Sequence, residues 1–180
     1  MQKKDVIKAE TQLEARQIQK FFSKTPEHKI YTRPAKGGGK DWKYVKGSYV
    51  ITVLNSLFGY NWNFEIRTSL SEAFTVSATT ESVTVLGRLT CKVGDQEIVK
   101  EQFGRADVKY KKGGKEYLDF GNDMKAASMD ALKKCASSIG LFADVYAPDD
   151  FYDYQIVDDE LRDAKVQAKL AKLQETDHED

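Results

Sequence analysis

The stretch SVTVLGRLTCKVGDQEIV, Ser82 to Val99, carries the fold in its periodicity. Val83, Val85, Gly87, Leu89, Cys91 and Val93 fall on every second position, the repeat of a strand with one buried face. Gly94-Asp95 then supplies a two-residue turn, and Ile98 and Val99 resume the apolar run, so the chain reverses into an antiparallel hairpin. Upstream, Trp62, Phe64 and Ile66 alternate in the same way. Residues 62 to 105 therefore read as an antiparallel meander.

Downstream, Gly104 to Glu116 reads as a basic, glycine-containing loop. Tyr117 to Ile139 is the longest helical pattern in the chain. On a helical wheel Met124, Ala127, Ser128, Ala131, Leu132, Cys135 and Ile139 share one arc, Lys133 points about opposite it, and Lys125 and Lys134 stand at its margins. This helix should lie on the sheet, its small residues permitting close approach, and Gly140 should end it.

Towards the N-terminus, Glu10 to Lys24 has helical spacing at Leu13, Ile18, Phe21 and Phe22, with Pro26 as a stop. Two extended pieces, Lys29 to Arg33 and Trp42 to Lys46, flank Ala35-Lys36-Gly37-Gly38-Gly39-Lys40, which suits an exposed hairpin loop. Ser48 to Phe58 reads as a helix stopped by Gly59, although β-branched Val50, Ile51 and Val53 also suit a strand. The expected fold is α+β: a β-β-β-α core with a long helix packed on an antiparallel sheet, an N-terminal helix and a β-hairpin. Residues 1–145 form the expected domain. Residues 146–180, with the acidic, aromatic APDDFYDYQIVDDE and a possible exposed helix in LRDAKVQAKLAKLQ, form a tail that is partly helical or disordered.

The chain has 180 residues, 41% of them apolar and 31% charged, and no run approaches the ~20 apolar residues of a membrane span. The start, MQKKDVIKAETQLEARQ, lacks the apolar core of a secretory signal. Cys91 and Cys135 stand far apart without metal-type spacing, which fits a reducing cytoplasm. The net charge of zero conceals an asymmetry: residues 1–140 hold 24 Lys+Arg against 16 Asp+Glu, and residues 141–180 hold 4 against 12. A basic body of this kind suits a polyanion.

Catalytic patterns are sparse. Gly37-Gly38-Gly39-Lys40 is followed by Asp41-Trp42 and sits between strands, unlike a phosphate-binding loop that opens a helix. The two histidines, His28 and His178, lie in a loop and a terminal tail, which argues against a histidine triad or a zinc site. Asp107, Glu116, Asp119 and Asp123 offer a weak metal-nuclease reading, and the last two equally suit the charge preference of a helix N-terminus. No cofactor is expected.

The basic residues are better organised. Lys29, Arg33, Lys36, Lys40, Lys43 and Lys46 interleave with Tyr31, Trp42 and Tyr44 around a single acid, Asp41. Cations that follow a phosphate chain and rings that stack on unpaired bases suit single-stranded nucleic acid; packing of Trp42 and Tyr44 on the sheet is the alternative. Lys125, Lys133 and Lys134 on the long helix form a second basic group, and Arg105, Lys109, Lys111, Lys112 and Lys115 before it form a third. Each alone could be a solvated surface.

TRPAKGGGKDWKYVKGSYVITVLNSLFGYN, followed by KAASMDALKKCASSIG, resembles the annealing domain of the Rad-fifty-two-type single-strand DNA annealing proteins over about Ile30 to Ala143. The resemblance implies a β-β-β-α core assembled into homo-oligomeric rings, with DNA in a basic groove, phosphates inward and bases exposed. It implies that Arg33, Lys125, Lys133 and Lys134 hold the DNA backbone and that Tyr44 is the aromatic of the hairpin beside the groove. Ser137 stands where eukaryotic members have a further arginine, and Lys36 and Lys40 are cations extra to that pattern. The short form is similar to phage and bacterial members, which implies a cytoplasmic, nucleoid-associated location in a bacterial or phage-infected cell.

The expected function is ATP-independent single-stranded DNA binding and annealing in recombination and break repair, without a covalent step. Passive protection of DNA ends or single strands requires the same groove, and the metal-dependent nuclease is a weaker third reading. Expected partners are single-stranded DNA, further copies of the chain, and a single-strand binding protein or an exonuclease. The acidic tail would either compete with DNA for the groove or dock a host replication protein.

Overall fold

The computed structural model describes residues 17, 20, 21, 23–35, 38, 39, 41–74 and 81–148. Ile30–Arg33 (β1) and Trp42–Val45 (β2) pair as an antiparallel two-stranded sheet, and Gly47–Phe58 follows as α1. Trp62–Ile66 (β3), Ser82–Val93 (β4) and Gln96–Asp107 (β5) form an antiparallel sheet in the order β3-β4-β5. Phe120–Ser138 (α2) packs on β4 and β5, and the short Ala143–Tyr146 (α3) closes the described chain against β2. The α+β class and the meander with a long helix on it are as expected. Of the expected N-terminal helix, Gln17, Lys20 and Phe21 are described and helical; its remainder up to residue 16, the loop lysines Lys36 and Lys40, and the tail from residue 149 lie outside the described residues.

The β4–β5 turn falls at Gly94-Asp95, with Val93 opposite Gln96 and Gly94 at φ 56°. A left-handed residue is inexpensive there only for glycine. Along β4 the odd-numbered residues Val83, Val85, Leu89, Cys91 and Val93 are buried. Helix α1 forms despite its β-branched residues because it buries Val50, Val53, Leu54, Leu57 and Phe58. Each such burial is worth about 1.5–3 kcal/mol, against a helix-propensity cost of at most ~0.7 kcal/mol per residue. Gly59 ends it in the left-handed region, its N–H donating to the Asn55 carbonyl at 2.9 Å.

Two boundaries differ from the sequence reading. The basic loop expected from Gly104 begins later, because β5 runs to Asp107 and includes Gly104, Arg105 and Ala106. Gly104 lies inside the strand because α2 crosses directly over it: a Cβ at that position would come within 2.1 Å of the Ala127 carbonyl oxygen and 2.3 Å of the Ala131 nitrogen. This glycine serves close approach rather than a turn. The helix expected from Tyr117 begins at Phe120, where the Asp119 carboxylate accepts from the Asn122 N–H at 2.9 Å as a cap. Residues 109–118 instead close on themselves, with Lys111 N–H donating to Glu116 O, Leu118 N–H donating to Lys109 O, and the Tyr110 and Tyr117 rings stacked at 5.6 Å.

Asp123 lies on the packed face of α2, 1% exposed, and accepts from the Lys109 N–H at 3.0 Å with the Lys109 ammonium 4.0 Å away. The edge of β5 is covered by a pair on α2. Asp130 accepts from the Arg105 N–H at 3.0 Å, Lys134 donates to the Phe103 carbonyl at 3.1 Å, and the two side chains meet at 3.0 Å. They occupy strand-edge groups that would otherwise be open to another strand. Both cysteines are buried and unpaired, and burial, with Cys135 nearby, pushes the Cys91 thiol up to about 12.

Candidate nucleic-acid interface

The hairpin register decides which basic residues can act together. Tyr31 lies opposite Tyr44, and Arg33 lies opposite Trp42. Side chains directly opposite in an antiparallel pair share a face, and residues two apart along a strand share it too. Tyr31, Arg33, Trp42 and Tyr44 therefore stand on one face. Thr32 and Lys43, opposite each other, stand on the reverse with buried Val45.

On this face one lysine of α2 approaches the rings. The Lys133 ammonium sits 5.5 Å from the Tyr44 ring centroid, the Tyr44 and Tyr31 rings are 5.8 Å apart, and the Lys46 ammonium is 4.2 Å from the Tyr31 ring centroid. Two cations thus bracket a pair of rings, with Arg33 exposed beside them. The outward Lys133 expected from the helical wheel is corrected here: the hairpin comes over it and leaves it half-buried. A wheel gives direction relative to the sheet below and is blind to a hairpin arriving from above.

Burial lowers the Lys133 pKa below the ordinary lysine value, and the Arg33 guanidinium lowers it further, while Asp130 pulls the other way. Lys133 makes no ion pair among the described residues, since the Asp130 carboxylate is engaged by Lys134. A cation over a ring gains only about 0.5–1 kcal/mol where water has access. A hydrogen bond to a charged partner is worth about 1.5–3 kcal/mol. An anion placed between Lys133 and Arg33 would therefore be favoured over the ring contact, and it would relieve the repulsion between the two cations.

The other basic candidates are dispersed. Lys43 is on the reverse of the hairpin, Lys125 and Lys112 are exposed, Lys134 is held at the β5 edge, and Arg105 is exposed on β5 with its N–H committed to Asp130. Lys109 accompanies buried Asp123, and Lys111 pairs with Glu116 at 2.7 Å. Arg33, Tyr44 and Lys133 are the candidates brought together. Lys46, one of the basic group around the hairpin, joins them, since its place two residues after Tyr44 extends the same alternation. The carboxylates of the nuclease reading are separated in use: Asp119 caps α2, Asp123 serves the Lys109 N–H and Glu116 pairs with Lys111. Among the described residues no group of three or more His, Cys, Asp or Glu is placed to hold a metal, and no helix is long and apolar enough to cross a membrane.

Fold and cluster together define an α+β protein with a cationic, aromatic cluster where a β-hairpin meets a helix. The sequence signature described as "Rad52/22 family double-strand break repair protein" matches residues 14–170, and the chain belongs to this family, which places it in DNA repair and recombination. No curated protein sequence matches the chain.

Proposed function

We propose that the chain binds single-stranded DNA across the cluster where hairpin and helix meet, the cleft that the bound strand would occupy, and anneals complementary strands without nucleotide hydrolysis. The observation that carries this reading is the convergence of Arg33, Lys133 and Tyr44, with Lys46 behind Tyr31, on one face. Cations gripping phosphates make binding independent of sequence and leave base edges free to pair. Rings beside them offer stacking of about 1–3 kcal/mol per base. Lys36, Lys40, Lys112 and Lys125 would extend the path as peripheral phosphate contacts, and Lys43, on the reverse of the hairpin, would take part only where the strand wraps around it. The protein works as a homo-oligomeric ring in a reducing cytoplasm, alongside a single-strand binding protein or an exonuclease.

The test is the pairing rate of two complementary fluorescent oligonucleotides with purified protein, chelator and no nucleotide. Salt-sensitive acceleration is expected. Tight binding without acceleration would replace annealing by protection of single strands, and absence of binding would remove the DNA reading. Light scattering of the same sample checks the ring: a monomer at working concentration would sink it.

A further inference from the structure

Lys133 differs chemically from the other lysines near the cleft. Lys134, Lys109 and Lys111 are held by Asp130, Asp123 and Glu116. Lys133 is half-buried, with its ammonium 5.5 Å from the Tyr44 ring centroid and without an ion pair among the described residues, and it feels the charge of Asp130 and, in the opposite sense, that of Arg33. Desolvation lowers its pKa despite the opposing charge of Asp130, and it raises the fraction of a lysine present as the neutral amine, one way in which lysines that form Schiff bases are activated.

We propose that Lys133 captures abasic nucleotides in single-stranded DNA as a Schiff base. This rests on the DNA reading above, which brings a sugar-phosphate chain against this amine. An abasic deoxyribose opens to an aldehyde at C1′, one sugar away from the phosphate that the cleft grips. The Nζ lone pair attacks that carbon and forms a C–N bond. The carbonyl oxygen leaves as water, taking one proton from the amine nitrogen and one from solvent, and the imine nitrogen keeps a proton as iminium. No oxidant, reductant or metal enters the step. Its consequence is a reversible covalent hold on a damaged strand, with the aldehyde masked while the strand is bound.

The experiment uses the full chain and a fluorescent single strand with one central abasic site, at protein concentrations that saturate binding, with sodium cyanoborohydride to reduce any imine to a stable amine. Trapped complex is read on a denaturing gel per bound strand, and the attachment point by peptide mass spectrometry. Attachment at Lys133 is expected, with Lys133→Arg trapping at least tenfold less per bound strand and Lys92→Arg, a surface lysine away from the cleft, trapping as wild type. Binding of the abasic strand without a covalent adduct would overturn the Schiff base alone. Adducts spread over other lysines, or undiminished trapping by Lys133→Arg, would do the same. Failure to bind even an intact strand would overturn the DNA reading and this inference with it.

Discussion

Over the Tyr44 ring the Lys133 amine gives up part of its hydration without forming an ion pair among the described residues, Asp130 being engaged by Lys134, so its environment favours an incoming anion. Lys133→Ala and Arg33→Ala are each expected to weaken single-strand binding and to lower the slope of log affinity against log salt by about 1, with an unchanged circular dichroism spectrum. Loss of the folded spectrum would mean that these residues hold the protein together instead. The pKa shift has its own consequence. The ammonium is the form that grips phosphate, and with its pKa lowered it begins to lose its proton on the acid side of the usual lysine range. Affinity should therefore start to fall as pH rises through that region, while Lys133→Arg, whose guanidinium stays charged, should hold its affinity further. Anisotropy titrations from about pH 7 to 10 check this, and parallel curves for the two proteins would refute it.

At the scale of elements, the contact of α2 with β5 governs the architecture, and Gly104 governs that contact. Gly104→Ala would push a methyl against the helix backbone at Ala127 and Ala131, neither of which can turn aside. A loss of at least about 1–3 kcal/mol is expected, read as a lower midpoint in urea unfolding. An unchanged midpoint would show that helix and strand separate more easily than the packing implies. Gly104 also shows where sequence reading stops: a glycine in a basic stretch signals a loop unless one knows that a helix crosses over it. The start of α2 has a similar lesson. Tyr117 and Leu118 suit a helix, yet Tyr117 is taken by its stack on Tyr110, and with Asp119 as cap the helix begins at Phe120, three residues after the expected start.

For the whole molecule, the last described residues reach the hairpin. The Val45 N–H, next to Tyr44, donates to the Tyr146 hydroxyl at 3.3 Å, and the described chain ends two residues later. Residues 149–180 carry 4 Lys+Arg against 11 Asp+Glu. Deleting them is expected to raise single-strand affinity several-fold at low salt and to make no difference near 1 M salt, where the screening length is about 3 Å. Equal affinities at every salt would assign the segment to something other than competition with DNA. The α+β class, the meander, the hairpin and the long helix were determined by local pattern, because alternation, helical spacing and turn residues act over a few neighbouring positions, whereas burial decided α1 against the strand its β-branched residues also allow. The resemblance carried by TRPAKGGGKDWKY and KAASMDALKKCASS indicated the family from the sequence as well. The functional cluster was decided by tertiary structure. Arg33, Tyr44 and Lys133 come from two distant segments, and their meeting depends on the register of one hairpin and its placement over α2. The same packing decided that Lys134 covers a strand edge and that Asp123 is buried beside Lys109. Charge counts along a chain cannot separate such residues from free cations, because a side chain's partner is set by which elements meet in space.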